Sequence, residues 1–207
     1  MNMMKSRRVV MVCLVVALLT CQVLQSMVLV SAVDAVTVTV SNLSALHTAI
    51  NNAEDGDVIG IAGVITVNNE TVIGKPDKHV TLLRTAANAY FNLETAYNSS
   101  LIQNITFDGG GISSTHPYLK VNISTNFENV TFINCISTSN GGAVSITDGE
   151  VNFNSCLFES NTGLNGGHFA VSGGVVNVNN SILKSGYATE KGGAIFNGSP
   201  GSTCHIT

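Results

Sequence analysis

The stretch NGGAVSITDGEVNF, residues 140–153, combines a glycine pair, two alternating apolar pairs and an acidic turn. A second version, NGGHFAVSGGVVNV, occupies residues 165–178, and a third begins at Gly192 as GGAIFNG. The first glycines of the three pairs, Gly141, Gly166 and Gly192, lie 25 and 26 residues apart. Each is followed by the second glycine of its pair: Gly142, Gly167 and Gly193. The stretch is therefore one unit of an internal repeat.

A second motif has the same period. It reads NITF at residues 104–107, NVTF at 129–132, SCLF at 155–158 and NSIL at 180–183. Its last residues are spaced by 25, 26 and 25, and they are Phe107, Phe132, Phe158 and Leu183. Two independent motifs with one period predict a solenoid, in which each unit buries its apolar face against its neighbours.

The local pattern within a unit indicates strands. Val144 alternates with Ile146, and Val151 with Phe153, on either side of the turn at 148–149. At roughly 3.3 Å per residue, three such short strands and a glycine-rich corner complete one coil. The predicted fold class is all-β, a parallel β-helix with rungs of about 25 residues.

Stacking of the rungs about 4.8 Å apart places equivalent residues in columns. One predicted inward column is Phe107, Phe132, Phe158 and Leu183. A second is Ile105, Val130, Cys156 and Ser181, in which the serine is a flaw. Asn104, Asn129 and Asn180 fall at one corner, where amides can bond along the stack, and Asn154 lies one place out of register.

Residues 1–35 are different in character. Lys5, Arg7 and Arg8 precede an apolar run over residues 9–30, and small residues follow at 31, 32 and 35. This order is typical of a secretory signal peptide. An uncleaved membrane anchor is the alternative.

The composition after residue 35 points to an extracellular chain. We count 12 acidic and 6 basic residues there without a basic cluster, which excludes nucleic acid as the partner. Eight N-glycosylation sequons, combined with a signal peptide, predict a glycoprotein. They begin at Asn42, Asn69, Asn98, Asn104, Asn122, Asn129, Asn179 and Asn197.

The cysteines do not predict a disulfide framework. Cys13 and Cys21 belong to the signal segment, which leaves an odd number, Cys135, Cys156 and Cys204. Their spacing is not that of a metal site.

Residues 36–78 do not repeat and are predicted as an N-terminal cap with the first strands. A helix begins there at Ser41 or Ser44 and places Leu43, Leu46, Ile50 and Ala53 on one face, as a lid over the open end of the coil. Residues 79–207 are predicted as rungs. Residues 204–207 align with the second strand of a rung, so we expect the chain to be truncated at the C-terminus.

The repeat resembles a known family. GGAV at 141–144, GGAI at 192–195 and FESN at 158–161 are similar to the repeats of polymorphic outer membrane proteins. More broadly, the chain resembles right-handed parallel β-helix proteins of the pectate-lyase-like superfamily. The chain departs from the pattern at Cys135, where Asn is expected, and at GGHF, where GGA is expected. The resemblance implies surface display and adhesion for the bacterial members, and polysaccharide lyase or hydrolase activity for others.

We expect no catalytic, cofactor-binding or metal-binding residue in this chain. Lyase chemistry in the family implies a calcium-holding carboxylate cluster and a basic residue, commonly arginine. Arg84 is the only arginine after the signal segment, and the repeats contain no cluster of aspartates. Asp148 and Glu150 have the spacing of one strand face, without a second pair on the next rung.

Structural roles are expected for His168, whose alternative role is a proton carrier, and for the turn with Asp55 and Asp57, which resembles a cation-binding loop. His116, Tyr118 and Lys120 belong to a rung interrupted by Pro117 and could form a binding protrusion, although their spacing does not require one.

Two functional hypotheses remain. The first is a secreted or cell-surface β-solenoid with a non-enzymatic adhesion, glycan-binding or structural role, whose partner is an extracellular glycan or protein. The second is that these are the opening coils of a larger carbohydrate-active enzyme, a polysaccharide lyase or glycoside hydrolase. Membrane contact is expected only through an uncleaved signal or a missing C-terminal segment.

Overall fold

The computed structural model describes residues 36–68, 72–94 and 99–207, and these form a parallel β-solenoid. The strand pairings among them are all parallel. The predicted fold class is confirmed, with turns of about 25 residues and one short helix. The predicted signal peptide and the sequons at Asn69 and Asn98 lie outside the described residues.

The strands form four sheets, which we number in the order in which a complete turn visits them. Sheet 1 contains β1 (Val36–Val40), β2 (Val58–Ile61), β5 (Val80–Arg84), β8 (Ile105–Asp108), β12 (Thr131–Ile133), β16 (Leu157–Glu159) and β20 (Ile182–Lys184). Sheet 2 contains β9 (Ser113–Ser114), β13 (Ile136–Ser137), β17 (Thr162–Asn165) and β21 (Tyr187–Lys191). Sheet 3 contains β3 (Val64–Val67), β6 (Tyr90–Leu93), β10 (Leu119–Val121), β14 (Val144–Ile146), β18 (Phe169–Val171) and β22 (Ile195–Asn197). Sheet 4 contains β4 (Val72–Ile73), β7 (Ser100–Gln103), β11 (Thr125–Glu128), β15 (Glu150–Asn154), β19 (Val175–Asn179) and β23 (Thr203–Ile206).

A complete turn contains four strands, not the three that the sequence predicts. The additional strands are those of sheet 2, whose inward residues Ser114, Ser137 and Gly163 are small and buried. Such residues do not produce the apolar alternation by which strands are found in a sequence. Sheet 2 begins only at β9, since the chain passes directly from β2 to β3 and from β5 to β6.

Aromatic side chains fill the interior of the coil. Phe107, Phe132, Phe158 and Leu183 occupy equivalent inward positions of sheet 1. The ring centroids are 5.4 Å apart between Phe107 and Phe132 and 4.5 Å apart between Phe132 and Phe158, with the rings nearly parallel. Phe153 of sheet 4 meets Phe132 edge-on at 6.0 Å. Each fully buried aromatic ring contributes about 1.5–3 kcal/mol, so this column holds successive turns together.

Two polar residues on the inside, Ser181 and Asn161, are hydrogen-bonded to backbone groups of an adjacent turn. The Ser181 hydroxyl accepts a hydrogen bond from the N–H of Cys156 at 2.9 Å and donates to backbone carbonyl oxygens. Asn161 acts in the same way, because its Oδ1 accepts from the N–H of Cys135 at 2.9 Å and its Nδ2 donates to a carbonyl oxygen. The expectation that Ser181 is a flaw in its column is wrong, since its hydroxyl satisfies backbone groups that an apolar side chain would leave unpaired.

One residue with left-handed backbone connects sheet 4 to sheet 1 at each of four corners. These residues are Asn104, Asn129, Ser155 and Asn180, with φ of 52°, 53°, 53° and 49°. Asparagine adopts this conformation more readily than most residues. At the third corner Ser155 takes the position, and Asn154 is instead the last residue of β15. The predicted hydrogen bond between side-chain amides at this corner is present where Asn129 Nδ2 donates to Asn104 Oδ1 at 2.8 Å.

The glycine pairs lie at the corner between sheets 2 and 3, and their two members are required for different reasons. Gly141 has a φ of 77°, which favours glycine. Gly142 lies so close to the next turn that a Cβ atom would be 2.1 Å from the carbonyl oxygen of Gly167. At this position the absence of a Cβ atom therefore allows the next turn to approach at the normal stacking distance.

The helix α1, Leu43–Asn52, packs beside the first strands. Leu46 and Ile50 are buried in the core, as the amphipathic pattern predicts. The N-cap is Asn42, whose Oδ1 accepts a hydrogen bond from the N–H of Ala45 at 2.9 Å, and not Ser41 or Ser44. Within the described ranges, no helix is long and apolar enough to cross a bilayer.

Candidate functional site

The outer surface of sheet 4 carries two rows of polar side chains, which we call the amide face. In β15 the inward residues are Val151 and Phe153, so the alternation of the strand directs Asn152 and Asn154 outward. Strands β11 and β19 pair with β15 in register and supply the equivalent residues. The amide face consists of Asn126, Asn152 and Asn177 in one row and Glu128, Asn154 and Asn179 in the other.

Hydrogen bonds along the rows fix the orientation of these amides. Asn152 Nδ2 donates to Asn126 Oδ1 at 2.9 Å, and Asn177 Nδ2 donates to Asn152 Oδ1 at 2.7 Å. In the other row, Asn179 Nδ2 donates to Asn154 Oδ1 at 2.9 Å. Because each bond joins adjacent turns, the amide groups are held in place before any ligand arrives.

These hydrogen bonds along the rows, which we call the amide ladder, leave part of each amide available to a ligand. An asparagine amide has two N–H donors and an oxygen with two lone pairs. Asn152 uses one donor and one lone pair within its row. One donor and one acceptor therefore remain on Asn152, whereas Asn177 uses both donors and its oxygen has no partner among the described residues. Equivalent residues lie about 4.8 Å apart along the solenoid, and outward residues about 6.6 Å apart along each strand. Such a grid suits a ligand with many hydroxyl groups, since a hydroxyl both donates and accepts.

Asp148 and Glu150, which lie two residues apart, have different surroundings. Glu150 is exposed on β15 beside the amide face, where its Oε1 accepts a hydrogen bond from Asn177 Nδ2 at 3.2 Å. Asp148 lies in the preceding turn, and its Oδ1 accepts from the N–H of Gly149 at 2.8 Å. Asp148 thus shapes a turn, whereas Glu150 orients an amide.

Arg84 lies in the interior rather than on a catalytic surface. Its side chain is 1% exposed, its Nε donates to Ala89 O at 2.9 Å, and its guanidinium lies 4.5 Å from the ring centroid of Tyr118. Burial lowers the pKa of Arg84 and raises the pKa of Tyr118. A general base must reach the proton it removes, and Arg84 in this position does not reach a polysaccharide outside the coil.

The remaining ionisable candidates are structural. Asp55 Oδ1 accepts from the N–H of His79 at 2.8 Å, and Asp57 Oδ2 accepts from the N–H of Glu54 at 2.9 Å. His168 is fully buried. Among the described residues, no three His, Cys, Asp or Glu side chains come together as a metal site requires.

The three cysteines of the described chain are free thiols. Cys135 and Cys156 are buried, and burial raises the pKa of each thiol to about 12. Cys204 is partly buried. Cys135 occupies the position that Asn161 holds in the next turn, and its thiol donates to carbonyl oxygens in place of the amide. Cysteine can therefore replace asparagine at position 135, because its thiol is buried and hydrogen-bonded to carbonyl oxygens.

The sequon asparagines within the described ranges differ in exposure. Asn42, Asn122, Asn129 and Asn197 are exposed, whereas Asn104 and Asn179 are half-buried. Asn104 Nδ2 donates to Lys75 O at 2.6 Å, and Asn179 is part of the amide face. The side chain of Asn122 is hydrogen-bonded through its Oδ1 only, which accepts from the Thr147 hydroxyl.

The amide face is absent from the sequence-based predictions, although a signal for it exists. Asn126, Asn152 and Asn177 are separated by 26 and 25 residues, the period of the repeat. Asparagine on the outer side of a strand is easily interpreted as a solvated surface residue. Only the register of the sheets shows that these amides face each other across turns.

Comparisons of the chain with protein-family models, with curated proteins and with solved structures found no match. The fold and the amide face define a parallel β-solenoid with a regular polar surface.

Proposed function

We propose that this chain is a secreted or cell-surface β-solenoid that binds a linear, hydroxyl-rich polysaccharide along the amide face, in an adhesive or structural role. The observation that carries the proposal is the amide ladder: fixed donor and acceptor groups recur on adjacent turns of sheet 4. A linear polysaccharide that follows the axis of the solenoid meets an asparagine amide on each of three successive turns, at Asn126, Asn152 and Asn177. Many weak hydrogen bonds of about 1 kcal/mol each then act on one ligand.

Three features of the sequence support an extracellular setting. The first 35 residues have the pattern of a signal peptide, eight sequons follow, and charged residues are few. The resemblance to polymorphic outer membrane protein repeats and to the pectate-lyase-like superfamily supports surface display and contact with polysaccharides.

The alternative is that the chain forms the opening coils of a polysaccharide lyase or glycoside hydrolase. We favour binding over catalysis because Arg84 is buried and because Asp148 and Glu150 are engaged in local hydrogen bonds. Function on a common fold depends on the site and not on the fold.

Electrophoresis of the secreted full chain in native gels that contain xylan, hydroxyethyl cellulose or polygalacturonate tests the proposal. We expect retardation by at least one of these polysaccharides. Replacing Asn152 and Asn177 together by Ala removes the central amides and is expected to weaken retention about tenfold or more, since two hydrogen-bonding groups are lost.

Asn92 provides the matched control. It is a half-buried asparagine on the outer side of sheet 3, and Asn92→Ala is expected to leave retention unchanged. Equal retention of the double variant and the unaltered chain, or equal loss in Asn92→Ala, would overturn the role of the amide face. New reducing ends or unsaturated products in the gels would instead support the enzymatic alternative.

A further inference from the structure

A cleft of about 260 Å³ lies near the junction of sheets 2 and 3, among the second to fourth turns. Two stretches form its walls: Ala87 and Asn88 of the β5–β6 connection, and residues 113–116 of β9 and the segment after it. Thr138 completes the lining. The cleft is smaller than the ~300–1,000 Å³ typical of sites for drug-sized ligands, so its size suits a single sugar unit.

Cationic and aromatic side chains gather at the edge of this cleft. His116 lines it, and the His116 ring lies 4.7 Å from the ring of Tyr90, centroid to centroid. The ammonium group of Lys120 lies 4.6 Å from the centroid of the same Tyr90 ring. All three side chains are half-buried, so each is held in place and still reaches solvent.

Arg84 is buried close to the cleft, where it acts electrostatically on His116. Its Nε donates to the carbonyl of Ala89, at the end of the β5–β6 connection, and its Nη1 lies 3.5 Å from the carbonyl of Ile136, which pairs with Ser113. Its Nη2 atom is buried and has no hydrogen-bond partner among the described residues. A buried guanidinium without a carboxylate partner raises the electrostatic potential around it.

Neither Lys120 nor Arg84 forms an ion pair among the described residues. The two ion pairs of those residues join Lys78 to Glu54 and Lys184 to Glu159. Lys120 and Arg84 both lower the pKa of His116, after the effect of its partial burial, and no acidic group opposes them. The edge of the cleft therefore carries a lysine without an ion-pair partner among the described residues, close to a buried arginine, in a chain with an acidic balance after residue 35.

The lining of the cleft is mostly apolar and includes a few polar groups, as is usual for small-molecule sites. Asn88, Ser113, Thr115 and Thr138 offer amide and hydroxyl groups, which can both donate and accept hydrogen bonds. We propose that the cleft binds an anionic sugar unit, whose carboxylate or sulfate lies near Lys120 and His116 and whose hydroxyls meet these polar groups. This site is separate from the amide face and does not depend on the function proposed for it.

Isothermal titration of the full chain with glucuronate, with glucose 6-sulfate and with glucose tests the proposal. We expect glucuronate or the sulfated sugar to bind at least about tenfold more tightly than glucose, with affinity falling as salt rises from about 0.05 to 0.5 M. Preference for one of the two anions identifies the anionic group. Equal affinity for glucuronate and glucose would overturn the proposal.

Two lysine variants test whether the anion binds at this cleft. Lys120→Met keeps the apolar stem on Tyr90 and removes the charge, and is expected to weaken binding of the anionic sugar about tenfold. Lys191→Met, at an exposed lysine of β21, is the control and should bind as the unaltered chain does. Binding of sulfate or acetate as tightly as the anionic sugars would contradict the sugar assignment, as would an equal effect of both lysine variants.

Discussion

His168 occupies the position that alanine holds in the neighbouring turns, at Ala143 and Ala194, and it is fully buried. Its Nδ1 lies 3.1 Å from Asn161 Nδ2. Because an amide nitrogen only donates, Nδ1 is the acceptor, and the neutral imidazole carries its proton on Nε2. Burial lowers the pKa of His168 to about 4. The interior thus holds a neutral histidine that must gain a charge when the pH falls.

The pH dependence of stability follows from this shift. The pKa of His168 in the folded state is below the unfolded value of about 6.5. The contribution of His168 to the free energy of unfolding is therefore fully present above pH 6.5 and is lost as the pH falls towards 4. The loss from this residue is on the order of 3 kcal/mol. In His168→Ala we expect the urea midpoints at pH 7 and pH 4.5 to differ less than in the unaltered chain. His205→Ala, at an exposed histidine of β23, is the control. The same pH dependence in His168→Ala and in the unaltered chain would show that another group is responsible.

At the scale of the element, the corner between sheets 2 and 3 determines how closely two turns approach. The glycine pair occurs in three turns, but the second glycines do not have the same surroundings. A Cβ atom on Gly142 would lie 2.1 Å from Gly167 O, whereas one on Gly193 would meet its nearest atom, Gly186 O, at 3.6 Å. The same residue type in the same motif is therefore sterically required at Gly142 and tolerant of substitution at Gly193.

Alanine substitution at the two positions tests this difference. We expect Gly142→Ala to lower the free energy of unfolding by about 2 kcal/mol or more, because the backbones of two turns must separate. Gly193→Ala is expected to change it by less than about 0.5 kcal/mol. Urea unfolding followed by circular dichroism measures both. Similar losses in the two variants would argue against a steric role for Gly142.

At the scale of the whole molecule, the stacking of turns limits which sequon asparagines of the secreted protein can carry a glycan. A glycan on Asn104 or Asn179 must be attached at an Nδ2 atom that donates to a neighbouring turn. Asn122 is exposed and is bonded only through its oxygen. We therefore expect the folded, secreted protein to carry glycans at Asn122 far more often than at Asn104 or Asn179.

Expression in a eukaryotic host followed by glycopeptide mass spectrometry measures the occupancy of each sequon. The same digest shows the N-terminus, where we expect the first 32 to 35 residues to be absent. An intact Met1 would contradict the signal peptide. Higher occupancy at Asn104 or Asn179 than at Asn122 would contradict the inference that a hydrogen bond from Nδ2 to a neighbouring turn prevents glycosylation.

The sequence by itself determines the period, the strand type and the inward aromatic column, because glycine pairs and alternating apolar residues encode them locally. Phe107, Phe132 and Phe158 stack because identical residues recur at one distance along the chain. The tertiary structure alone reveals sheet 2, whose small inward residues produce no apolar pattern. It also decides both candidate sites. The amide face depends on register across turns, and the cleft near Tyr90 and Lys120 depends on side chains from separate turns meeting at one edge, a proximity that no local spacing encodes.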